Sequence, residues 1–179
     1  VRPVYIVGSE VPIPGGAQEA SAGVQVTKVA GFKATVSAFE KAFENEELQE
    51  TWNDVIGVVV QPGVEEADTG PKEYDREEAK ELMASIKDYP NLVFEGHSTD
   101  YQTKYALKEL VEDGVGILKV GPGLTFAMRE ALFALAHIEE EVFHGTDVKT
   151  SNFIEVLDQA MLANPKNWQK HYHGDDNKL

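Results

Sequence analysis

Short apolar, β-rich runs that end in polar residues and pass into helical stretches recur along the chain. They are PVYIVGSE from Pro3, VIGVVVQPG from Val55, LVFEGHSTD from Leu92 and GILKVGPG from Gly116. Strands alternating with helices predict a parallel sheet with helices packed outside it. VIGVVV is apolar at successive positions, as a parallel strand covered on both faces should be. In such folds ligands gather at the carboxyl ends of strands. Those ends carry Ser9 and Glu10, then Gln61, then Glu95, His97, Ser98 and Asp100, then Lys119.

Between the strands the pattern shifts to helical spacing. Thr27 can cap a helix running to about Glu47, with Val29, Phe32, Val36, Phe39 and Phe43 on one face. A short helix through Leu48 and Trp52 leads into the second strand. Asp75, with Glu78 three positions on, has the form of a capping box, and Pro90 stops that helix. Ser98 or Thr99 is expected to cap the next helix, and Gly114 to end it in the left-handed conformation. LTFAMREALFALAHIEEEVF is apolar almost all round in its first half and is therefore expected to be buried. Two more helices are expected at 151–163 and 165–172, with an unordered tail after them. Residues 8–23 contain two prolines and no helical period, so they predict a long loop of the functional kind.

Composition narrows the class. The chain has 179 residues, 42% of them hydrophobic, and no cysteine, which excludes disulfides and thiolate metal sites. No segment approaches the ~18 apolar residues of a membrane helix, and no signal peptide is visible, so a cytoplasmic location is expected by default. A net charge of −15 opposes nucleic acid and anionic membranes. It also repels a phosphorylated substrate at long range, so a phosphate site would have to be built locally from backbone N–H groups and a cation or two.

His97 stands at a strand end among carboxylates, where catalytic side chains are placed in barrels. Glu10 and His97 could share a divalent cation (zinc, manganese or cobalt), with Gln61 as a neutral oxygen donor. A histidine at such a place is as often structural as functional. Asp100 could move protons, and Lys119 could form a Schiff base, hold a phosphate or simply be solvated. Lys119 lies on the same side as Ile117 and opposite Leu118, and the sequence leaves open which side faces the site. The VGPG turn with Gly121 and Gly123, together with Ser98, is a candidate phosphate cradle; a tight turn explains it equally well. The strand–helix units amount to half of an eight-stranded barrel, so the chain is either a small open sheet or the C-terminal part of something longer.

The segments YIVGSEVPIPGG, VVVQPGVE, EGHSTDYQT and ILKVGPGLTFAMREALFALAHIEEE resemble the Z-type subunit of tagatose-1,6-bisphosphate aldolase from Tyr5 to about Tyr172. The resemblance implies a TIM (β/α)8 barrel on a longer chain. Residues 1–145 would then hold its C-terminal half, and 146–179 a helical extension and tail. It also implies a subunit that supports the stability and activity of a zinc-dependent class II catalytic partner in galactitol, N-acetylgalactosamine and tagatose catabolism, and that is expected to be an oligomer and to handle sugar phosphate. The alternative it implies is a metal-dependent ketose-phosphate 4-epimerase, or an aldolase in its own right.

Overall fold

The computed structural model describes residues 2–9, 24–66 and 70–169. Its elements are β1 (Tyr5–Val7), α1 (Val29–Asn45), α2 (Gln49–Trp52), β2 (Val55–Val60), α3 (Arg76–Ser85), β3 (Val93–Gly96), α4 (Lys104–Glu112), β4 (Val115–Leu118), α5 (Pro122–Phe143) and α6 (Phe153–Ala163). Two compact units emerge, Val1–Gly121 and Pro122–Leu179. α5 therefore groups with the helices that follow it.

The first unit is the α/β part. Among the described residues its four strands are parallel in the order β1-β2-β3-β4, with β1 at one edge. One face of the sheet carries Val58, Phe94 and Val115, and all three are fully buried. α1, α3 and α4 cover that face with Phe32 and Val36, Ala79 and Leu82, and Ala106 and Leu110. Phe32 meets Phe94 edge-to-face at 5.1 Å between ring centres, and Tyr89 at 5.2 Å. Such pairs contribute about 0.5–1.5 kcal/mol beyond their buried area.

The other face carries Val59, Glu95 and Ile117, which lie side by side in register. Gly57 belongs there too, because a Cβ on it would meet the Ile6 and Ile117 side chains at 3.4 Å. Two register shifts keep the pattern in phase: Ile56 is extra between the β1 pairings, and Gly116 between the β3 pairings. At Gly116 a Cβ would approach Val93 Cβ to 3.0 Å, so the bulge needs a residue without a side chain. The question left open at Lys119 is thereby answered. Ile117 is on the face of Glu95, whereas Leu118 packs against the helix-side core.

The helix starts depart from expectation in a consistent way. Asp75 does cap α3, accepting from the N–H groups of Glu77 at 2.9 Å and Glu78 at 3.2 Å. Such a cap is worth about 1 kcal/mol. Glu78 does not complete a capping box, because it pairs with Lys72 at 2.8 Å. Thr27 does not cap α1: its hydroxyl accepts from the Gln61 N–H at 2.8 Å, and Lys28 takes the cap position. Thr103, not Ser98 or Thr99, caps α4 through Ala106 N–H. Thr27 and Thr99 are instead spent on strand ends.

In the second unit Phe133 of α5 meets Phe153 of α6 at 6.2 Å, and Trp168 Nε1 donates to the Met161 carbonyl at 2.8 Å. Only Ala136 of α5 is buried, contrary to the expectation from its composition. The reason is geometric. The 11-residue α6 covers only one side of the 22-residue α5. The expected helix at 165–172 is a single 3-10 turn at Pro165–Asn167 within the described residues. Among the described residues no helix is long and apolar enough to cross a membrane.

A buried carboxylate at the strand ends: the candidate functional site

Glu95 is the centre of the site. It lies on the face of the sheet away from α1, α3 and α4, next to Val59 and Ile117, with its side chain only 5% exposed. Its Oε1 lies 2.7 Å from His97 Nε2 and 3.6 Å from Lys119 Nζ. β3 supplies Glu95, the residues just beyond it supply His97, and the neighbouring strand supplies Lys119. Lys119 N–H donates to the Gly96 carbonyl at 2.9 Å, so the ladder continues past the end of β4 and brings the two tips together. A buried carboxylate needs compensating charge and hydrogen bonds, and these two side chains provide them.

The loop after β3 is held tightly. Thr99, 1% exposed, donates its hydroxyl to the Lys119 carbonyl at 2.8 Å. Ser98 has φ of 55°, the left-handed region, and its hydroxyl makes no hydrogen bond among the described residues. Asp100 Oδ2 accepts the Gly121 N–H at 2.7 Å, tying this loop to the segment after β4. The Glu66 carboxyl also hydrogen-bonds Asp100. Burial first, and then the Asp100 carboxyl, push Glu66 up to about 7. Among the described residues Glu66 Oε1 is itself buried without a hydrogen-bond partner.

The structure thus brings together His97, Lys119, Ser98, Asp100 and Gly121. It places Gln61 differently. The Gln61 side-chain oxygen accepts from Gly63 N–H at 2.8 Å and Val64 N–H at 3.0 Å, so it shapes the loop after β2. The Gly121 N–H, expected to meet a phosphate, is taken by Asp100. Gly123 lies in the first turn of α5, in the second unit. Glu10 falls outside the described residues. Among the described residues no group of three or more His, Asp or Glu side chains is placed to hold a metal ion. His97 is then the one described member of the expected Glu10–His97 pair, and Glu95 is already engaged by His97 and Lys119.

In the sequence Glu95 is one of several strand-end polar groups, with no role set apart for it. A signal was there: in LVFEG a carboxylate alternates with Val93 while Phe94 takes the opposite face. Glu66 had no such signal, since its neighbour Asp100 is far away in the chain. The cleft of about 340 Å³ lined by Arg76, Lys80, Lys87, Glu112 and Asp113 lies on the outer side of α3 and α4. Arg76 is committed there to Asp113 at 2.8 Å and Glu112 at 2.9 Å.

The chain matches the family described as D-tagatose-1,6-bisphosphate aldolase subunit GatZ/KbaZ-like over residues 1–179. It is also similar to a solved structure described as a probable tagatose 6 phosphate kinase from Sinorhizobium meliloti 1021, at 42% identity and a TM-score of 0.84. That match covers 98% of this chain and 41% of the other, so the chain spans well under half the length of that protein.

Proposed function

Since the chain belongs to the D-tagatose-1,6-bisphosphate aldolase subunit GatZ/KbaZ-like family, we propose that it works as the Z-type subunit of such an aldolase. In this reading it supports the stability and full activity of a class II catalytic partner in galactitol, N-acetylgalactosamine and tagatose catabolism. Its sheet serves as the C-terminal half of a (β/α)8 barrel, in a cytoplasmic oligomer. The observation that carries the reading is the family match along residues 1–179. The family and the similar solved protein are both named for a phosphorylated tagatose. The test is to co-express the chain with a class II tagatose-bisphosphate aldolase catalytic subunit. Co-elution, a longer thermal half-life and faster cleavage of tagatose 1,6-bisphosphate are expected. Separate elution with an unchanged rate would discard the helper role.

The Glu95–His97–Lys119 cluster favours a second reading, a ketose-phosphate 4-epimerase or aldolase in its own right. A subunit that only stabilises a partner has no physical need for a buried, ion-paired carboxylate at its strand ends. In this reading Lys119 faces the negative charge of a sugar phosphate, and His97 moves a proton. Incubating the protein alone with tagatose and fructose phosphates, and following the sugars by NMR, tests it. Turnover that His97→Ala abolishes is expected; no turnover, or turnover that survives this change, removes the reading.

A further inference from the structure

The Glu95–His97 contact has a definite direction. An ionised carboxylate only accepts hydrogen bonds, whereas a protonated one can donate. The Glu95 oxygen that meets His97 also faces the Lys119 ammonium at 3.6 Å, so it stands between two donors and acts as the acceptor for both. The proton in the 2.7 Å contact then belongs to the imidazole, on Nε2. A neutral ring with its proton there carries its lone pair on Nδ1. The ring makes no other hydrogen bond among the described residues.

We propose that Glu95 is a positioning residue that holds His97 in its Nε2–H form, leaving Nδ1 to accept a proton from a hydroxyl of a bound sugar phosphate. This rests on the reading that the strand ends handle a sugar phosphate. In the step, the hydroxyl O–H bond breaks, an N–H bond forms at Nδ1, and the electron pair stays on the sugar oxygen. The imidazolium so formed faces the Glu95 carboxylate, which is the charge it requires. The arrangement is that of an orienting carboxylate behind a working histidine, where the second ring nitrogen is set by the bond the first one makes.

The test is ¹⁵N NMR of the full chain labelled at histidine, with His97 assigned from the signals lost in His97→Gln. At a pH where the ring is neutral, the wild type should show a protonated Nε2 and a lone-pair Nδ1. In Glu95→Leu nothing at this position accepts from Nε2–H, so the ring should relax from a single tautomer to a mixture of both. A wild-type ring protonated at Nδ1 overturns the proposal, and this measurement does not depend on any variant folding. A folded Glu95→Leu protein whose ring stays wholly in the Nε2–H form removes the positioning role. Adding tagatose 6-phosphate should shift the Nδ1 signal. No response with the tautomer intact overturns the sugar-phosphate reading, and with it Nδ1 as the acceptor. A wrong tautomer overturns positioning by Glu95 even where the sugar phosphate binds.

Discussion

The Thr99 hydroxyl donates to the main-chain carbonyl of Lys119 at 2.8 Å, and the Thr99 N–H approaches the same oxygen at 3.4 Å. The bond joins the loop after β3 to the end of β4 and sets the backbone from which Lys119 reaches Glu95. Thr99→Val keeps the shape and removes the donor. Leaving a buried acceptor short of a partner costs about 1–3 kcal/mol. Urea unfolding should show a loss in that range, and a midpoint equal to wild type would refute the role given to this hydroxyl.

Ser98 holds φ at 55° beside His97. The left-handed conformation costs an ordinary residue roughly 1–2 kcal/mol, and a β-branched one more. Ser98→Gly should therefore be close to neutral, since relief of strain offsets the added freedom of the unfolded chain. Ser98→Val should be less stable than Ser98→Gly by about 2 kcal/mol or more. Equal denaturation midpoints for the two variants would contradict the conformation described.

Gly8 follows β1 with φ of 151°, and a Cβ there would lie 2.6 Å from Val59 Cβ and 3.0 Å from Val59 N. Val59 pairs in register with Glu95, so a shift of Val59 disturbs the strand beneath the site. Gly8→Ala should cost about 1–3 kcal/mol, as overpacking does. A calorimetric Tm within error of wild type would show that β1 yields without resistance.

Glu66 titrates in the neutral range because burial and the Asp100 carboxyl disfavour its charge, with Glu65 adding to the repulsion. Its folded value, about 7, is raised above the ordinary 4.5. The folded state therefore binds more protons between those values. The stabilising contribution is full below the ordinary value and is lost as pH rises through the folded one. Glu66→Gln mimics the protonated form and should gain on wild type between about pH 5 and pH 8. Urea midpoints of both proteins at the two pH values measure this, and a constant difference between them would rule it out.

Much of the architecture was legible because it rests on local periodicity. The apolar runs at Tyr5, Val55, Val93 and Val115 became strands in a parallel sheet, and the Asp75 cap formed as read. The expectation failed where a polar side chain had two uses. Thr27 and Thr99 could cap helices, but each instead binds the end of a strand distant in sequence. Gln61, read as a donor to a ligand, is consumed by two amides two and three positions ahead. The choices of Thr27 and Thr99 are not local, since each depends on which loop lies alongside.

The order of amino acids alone determined the alternation of strands and helices and the polar ends that mark where chemistry belongs, because side-chain period and turn residues act over a few positions. It also carried the family likeness, which lies in contiguous words such as EGHSTDYQT. Only tertiary structure decided that Glu95 stands between His97 and Lys119, because the bulge at Gly116 sets which face of β4 aligns with it. A register shift of one residue turns a lysine toward a carboxylate or away from it, and such a shift is chosen by packing between strands.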